Sequence, residues 1–314
     1  MSRLPRISEL DAHSSGGGFF FCARKDRRLG RGGPYLMVRL QDATGEVTGT
    51  VFQDVDENDA QFDAGEFVSV QGKGNLFNRR LELSIERIRR VIPGDEARGF
   101  RREDCVPSAP RPIDEMWQEL QSRITGVRHP QIRELLSRVI AQHEDRLRIW
   151  PAARQVHHAY RGGLLEHVLK IMEVVSTLAD TYGARKDLLI AGALLHDIGK
   201  LRELSYDEGT DYSVEGNLIG HIAIGAEMLR DAVRDLPDFP PALALELEHM
   251  ILSHHGDLEL GSPVPPMTVE AFILAAADRL DATLHQVRRH LAEDATDGPF
   301  TGYHRHLERV LYKP

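Results

Sequence analysis

The sequence predicts a multidomain protein, a small all-β barrel followed by an all-α helical bundle. Three observations carry that expectation. Residues 19–92 alternate apolar and polar positions with period two and are punctuated by glycines, the pattern of short, half-buried strands. From Met116 onward apolar residues recur at helical spacing, and no strand-like segment follows. Between the two, PGDEARGFRREDCVPSAPRP carries four prolines and breaks both periodicities. The expected boundaries are 1–95 for the barrel, 96–112 for an extended linker and 113–314 for the helical domain.

Composition narrows the function. A chain of 314 residues has room for two domains, and 41% apolar with 28% charged residues fits an ordinary globular core. Cys22 and Cys105 cannot build a disulfide framework and stand in no zinc-type cluster, so a reducing compartment is expected. The N-terminal MSRLPRISEL lacks the apolar core of a signal peptide, and apolar runs such as residues 188–195 are too short to span a bilayer. A cytoplasmic protein with no membrane partner follows. The net charge of −9 argues at first against a nucleic-acid partner. Residues 1–104, however, hold 17 basic and 17 acidic residues, so the whole deficit lies in the helical part. There, part of the acidity would be carboxylates held against divalent cations.

Taken in order, the strands are FFFCARK, YLMVRLQD, VTGTVF, EFVSVQGKGNLF and LELSIERIRRV. A basic loop, DRRLGRGGP, follows the first; ATGE turns between the second and third, and Asn78-Arg79 between the last two. Gly16, Gly17 and Gly18 look like a flexible run and match no phosphate-binding loop. Five short strands in so few residues suit a small closed or partly closed barrel. Tyr-Leu-x-Val-x-Leu-x-Asp-x-x-Gly-x-Val, at 35–47, resembles the OB-fold of the anticodon-binding type. Such barrels bind single strands by stacking bases on aromatic rings and tracking phosphates with cations. The candidates are Arg24, Lys25, Arg27, Arg28 and Arg31 in the first loop, with Phe77 and Arg79 later.

In the helical part, ionisable residues intrude on faces that should be apolar. Leu164, His167, Val168 and Ile171 share one face, and His196-Asp197 closes the apolar run LLIAGALL. His221 opens a further helix; His254 falls on the stripe of Leu247 and Ile251, with His255 beside it; Asp278 aligns with Ala271 and Leu274. A single core-facing histidine is usually a packing residue. Burying so many such groups without partners would cost several kcal/mol apiece, and bound divalent cations would resolve them together. Mixed imidazole and carboxylate donors suit Mn, Fe, Co or Zn better than an all-oxygen Mg or Ca cage.

The order His167, His196-Asp197, Asp278 matches the signature of HD-domain metal phosphohydrolases. HHAYRGGLLEHV, LLHDIGKLRELSY, GNLIGHIAIGAEML, ILSHHGDLELGSPVPPMTVEA and ADRLDA together resemble the YhaM-type 3'-5' exoribonucleases, which also carry an N-terminal OB-fold. That resemblance implies one ion held by His167, His196, Asp197 and Asp278, and a second by the bridging Asp197 with His221, His254 and His255. Mn is expected first, with Fe, Co, Zn or Mg as further possibilities, and the 3'-5' polarity is what the resemblance implies. His157 and His158 fall in the family-like HHAYRGG run, and His249 is read as structural.

Two cations sharing Asp197 would activate a water and clamp a phosphodiester. Lys200 is placed to reach a phosphate oxygen or the leaving group, and Arg161 is a further phosphate candidate. No serine, cysteine or threonine is set up as a nucleophile. The expected function is a metal-dependent exoribonuclease acting on single-stranded RNA, with single-stranded DNA a second candidate. The alternatives are a phosphodiesterase of small or cyclic nucleotides, disfavoured by the barrel, and a non-enzymatic binding protein, disfavoured by the complete ligand set.

Overall fold

In the computed structural model, which describes residues 3–30, 32–77, 80–153, 160–205, 211–294 and 296–313, the N-terminal alternation becomes a closed barrel. Its strands are β1 (Ser15–Gly30), β2 (Gly33–Asp42), β3 (Gly45–Val51), β4 (Phe67–Phe77) and β5 (Arg80–Arg90), with a short helix, α1 (Val55–Asp59), between β3 and β4. The order β1-β2-β3-β5-β4 closes where β4 returns to β1, and β3 and β5 run parallel. This is the OB topology. Leu36, Val38 and Leu40 point inward against Val47, Val51, Leu83 and Ile85, as period two requires. The β2–β3 turn is built by Asp42, whose Oδ1 accepts from the Thr44 and Gly45 amides at 2.7 and 3.1 Å.

Three details differ from the sequence-based expectation. The glycines at 16–18 lie within β1, pairing in turn with Gly72, Gln71 and Val70 of β4. The basic stretch is strand as well: β1 extends to Gly30, and Arg24, Lys25, Arg27 and Arg28 pair with residues of β2. Consecutive charges read as loop because strand propensity is weak evidence at an exposed sheet end, where the hairpin partner supplies the backbone bonds. The linker expected over 96–112 is folded over its first ten residues, which include two 3-10 turns. Phe100 and Cys105 are buried there, and Phe100 packs edge-on to Phe19 and Phe67. Burying those side chains outweighs the proline and charge signals around them. The two compact units divide between Ser108 and Ala109.

The second unit is a helical bundle. After α2 (Ile113–Thr125), α3 (Pro130–Gln142) and α4 (Glu144–Leu147) come the elements that carry the site. These are α5 (Gly163–Tyr182), α6 (Lys186–Leu195), α7 (Lys200–Glu203), α8 (Val214–Ile219), α9 (His221–Arg234), α10 (Pro241–Ser253) and α11 (Val269–Glu293). Residues 188–195 of α6 are buried on every side, so this helix is the axis on which α5, α10 and α11 pack. One pairing escaped the sequence pattern: β6 (Leu204–Ser205) meets β7 (Asp211–Tyr212), too short for any period to show. Among the described residues no helix is long and apolar enough to cross a membrane.

Candidate metal centre and nucleic-acid surface

Each ligand candidate sits where a helix begins, ends or faces the axis. Gly162, at φ 77°, takes the left-handed conformation that starts α5 and sets His167 one turn in. His196 caps the C-terminus of α6, and Asp197 follows in the turn before α7. Gly199 lets α9 approach that turn, since a Cβ there would stand 2.0 Å from the His221 carbonyl oxygen. His254 caps α10, and Asp278 lies in the first half of α11, which Thr268 caps through the Ala271 amide at 3.1 Å.

The seven converge. His167, His196 and Asp278 form one cluster of potential ligand atoms, and His221, His254 and His255 another. Asp197 stands between them. Its Oδ2 is 3.6 and 3.4 Å from Nε2 of His167 and His196, and its Oδ1 is 3.5 and 3.7 Å from Nε2 of His221 and His254. Atoms sharing one ion at about 2.1 Å lie about 3.0–3.4 Å apart at octahedral to tetrahedral angles. Nε2 of His167 is 3.2 Å from that of His196 and 3.3 Å from Asp278 Oδ1, which is that spacing.

Hydrogen bonds behind the rings decide what faces the centre. Nδ1 of His167 is held by Asp281 at 2.9 Å and Nδ1 of His221 by Glu203 at 3.0 Å. Backbone carbonyls of Ala193, Ile251 and Leu260 hold Nδ1 of His196, His254 and His255 at 2.9, 2.7 and 3.0 Å. A ring that donates from Nδ1 presents an Nε2 lone pair, so the five rings aim acceptors at one another and at a carboxylate. Among the described residues, Asp197 Oδ1, His221 Nε2 and His254 Nε2 are buried with no hydrogen-bond partner. Buried acceptors without a donor are rare and costly, and a cation satisfies all of them. The donor set therefore fits divalent metal.

The ionisation of the site agrees. Burial would depress His167, but Asp278 and Asp281 outweigh it and push its pKa up to about 9, a proton standing where a cation would serve. Burial, reinforced by His196, keeps His254 neutral. Asp197 stays ionised despite its burial because Lys200 and His196 oppose that effect. The Lys200 ammonium lies 2.6 Å from Asp197 Oδ2 and lines the same cavity of about 590 Å³ as His221, His255 and Asp278. Arg161 is not among that cavity's lining residues; its carbonyl accepts from the Ala109 amide at 2.9 Å. His249 stands apart, accepting the Met267 amide on Nε2 at 2.9 Å. His157 and His158 lie outside the described residues. Sequence reasoning missed Asp281 and Glu203, and no local pattern in ADRLDA or LRE marks them as partners of His167 and His221.

On the barrel, the expected cations are largely paired with neighbours. Arg24 and Arg28 face Asp26 at 2.9 and 3.6 Å, and Arg27 faces Asp56 and Asp59 at 2.6 and 3.3 Å. Lys25 is a correction: only 13% of its side chain is exposed, and its amine bonds the Asp59 carboxylate and the Asp59 and Phe62 carbonyls. It holds α1 to the barrel. Phe77 is exposed at the end of β4, while Arg31 and Arg79 lie outside the described residues. A stacked ring pair went unforeseen: Tyr35 and Phe52 lie 5.4 Å apart, with Phe52 63% exposed. Tyr35 points opposite to buried Leu36, which the alternation of YLMVRL implies.

Comparison with known proteins agrees with this geometry. The family model for the HD domain matches residues 164–283, and that for an OB-fold nucleic acid binding domain matches residues 22–91. The 3'-5' exoribonuclease YhaM of Bacillus subtilis (strain 168) is 35% identical over 285 residues, covering 90% of this chain and 89% of the relative. Its namesake in Geobacillus sp. (strain WCH70) is 34% identical over 285 residues, covering 90% and 86%. With the likeness running through both units and the ligand cluster in place, the chain belongs to the YhaM family of 3'-5' exoribonucleases.

Proposed function

We propose that this chain is a metal-dependent 3'-5' exoribonuclease that shortens single-stranded RNA, using two divalent cations, Mn first among them. The observation that carries the proposal is Asp197, whose two carboxylate oxygens face different histidine clusters. His167, His196 and Asp278 would hold one ion with Asp197, and His221, His254 and His255 the other. When bound, such ions acidify a water and neutralise the phosphate it attacks. The chain's own part is to fix the donors: Asp281 and Glu203 orient His167 and His221, and Lys200 keeps Asp197 ionised beside the cavity. Water adds to phosphorus as the P–O3' bond breaks, giving a nucleoside 5'-monophosphate and a shortened strand whose O3' takes up a proton.

The barrel supports a polymeric substrate over a small one. Tyr35, Phe52 and Phe77 offer rings for bases, and Arg24 and Arg28, exposed though paired, offer charge for phosphates. Single-stranded DNA is the second substrate to test, and a cytoplasmic location fits the free, buried cysteines. The test is incubation with 5'-labelled single-stranded RNA and Mn²⁺, beside a 3'-blocked copy, a DNA copy and a cyclic dinucleotide. A ladder shortening only from the free 3' end supports the proposal. Turnover of the cyclic dinucleotide with intact RNA would replace it with a small-nucleotide phosphodiesterase.

A further inference from the structure

We propose that Tyr212 and Arg279 clamp the terminal nucleotide in the metal cavity, the ring stacking on its base and the guanidinium binding the adjoining phosphate. This rests on the exoribonuclease reading above. Both residues line the cavity whose wall also holds Asp197, His221, His255 and Asp278. At about 590 Å³ it lies within the range of small-ligand sites.

Tyr212 is 41% exposed, and among the described residues its ring packs on no other ring. It is held there by the backbone rather than by its side chain. Tyr212 pairs with buried Leu204, the residue after Glu203, and the next amide, of Ser213, donates to the Glu203 carbonyl at 2.8 Å. Ser213 then caps α8 through the Gly216 amide at 2.8 Å. Glu203 itself orients His221, so the tyrosine and a metal ligand share one anchor. A half-exposed ring fixed on a cavity wall beside a hydrolytic centre is a stacking surface for a base.

Arg279 follows Asp278 in α11, so its side chain leaves the helix about 100° around from the ligand, along the wall. Its side chain is 66% exposed, and its ion pair with the equally exposed Asp257 is long, at 3.8 Å. Such a pair contributes little and yields readily to a phosphate, which a guanidinium grips with two bonds.

The experiment measures kcat/KM for a single-stranded RNA and for the same strand ending in an abasic ribonucleotide, which has the diester but no base, on the full chain loaded with Mn²⁺. The ratio of the two cancels any loss of folded enzyme. In Tyr212→Ala the ratio falls about tenfold, and in Tyr212→Phe it stays within about twofold of the parent. In Arg279→Ala, KM for RNA rises and its logarithmic dependence on salt flattens by about 0.7, the loss of one phosphate contact on a single strand. An unmoved ratio in Tyr212→Ala, or an unmoved salt slope in Arg279→Ala, overturns the clamp. A parent protein that leaves RNA intact overturns the exoribonuclease reading itself.

Discussion

Charged groups occur in both units, but they are managed in opposite ways. In the barrel several are exposed and matched: Arg24 with Asp26, Arg27 with Asp56, Arg90 with Glu66. In the helical unit, the site histidines and Asp197 are mostly buried, and their acceptors face one another. Matched surface charges each contribute a fraction of a kcal/mol and say little about function. Buried unmatched acceptors are expensive, so a fold that keeps several together has a ligand for them. The second unit is therefore where a single atom matters most.

Removing the shared carboxylate tests that contrast hardest. Asp197→Ala withdraws a donor from both clusters and leaves Lys200 without its partner. RNA hydrolysis should fall by more than about a thousandfold, since cation stabilisation of a phosphoryl transition state is worth several kcal/mol. RNA binding should persist, and metal analysis of the purified variant should show depleted Mn²⁺. Full activity with full metal content would end the bridging assignment.

Lys25→Met is the matching probe in the barrel, and its effect should be on stability. The amine donates to two carbonyls and a carboxylate with little exposure, so its loss should cost the barrel about 2–3 kcal/mol in chemical denaturation. The Lys25 bond also holds the Asp59 carboxyl below its usual range. A depressed carboxyl stabilises the fold above its unfolded pKa of about 3.9 and loses that contribution as pH falls through the folded value. Lys25→Met should accordingly lose less stability than the parent between about pH 4 and pH 2. Parallel acid profiles, or a variant as stable as the parent at pH 7, would return Lys25 to the list of surface cations.

Much of this contrast was legible in the sequence, for unequal reasons. The metal cluster could be read because helical spacing puts Leu164, His167 and Ile171 on one face, and an ionisable group on an apolar face needs an explanation. The alternation of YLMVRL gave β2 and its inward set at once. Strand β1 did not announce its length, because paired charges such as Arg24 and Asp26 look like a loop until the facing strand is known. Asp281 and Glu203 were invisible for a related reason. Their roles lie in contacts 114 and 18 residues away along the chain, which no local pattern encodes.

Those two acids allow the finest test. Asp281→Asn keeps the shape behind His167 but replaces a charged acceptor with a neutral amide, and Glu203→Gln does the same behind His221. Mutating such outer partners costs about 10- to 100-fold in metal affinity. Titration calorimetry with Mn²⁺ should find that loss in each variant, one in each half of the cluster, while His196→Ala, which deletes a donor outright, loses more. The two half-sites differ in setting: His167 is fully buried, whereas His221 and His255 line the cavity. Asp281→Asn should therefore weaken the enclosed site and Glu203→Gln the open one, and the double variant should lose both increments. If Asp281→Asn and Glu203→Gln each bind Mn²⁺ as the parent does, the rings are held by packing alone, and the contrast between the units narrows to the ligand atoms themselves.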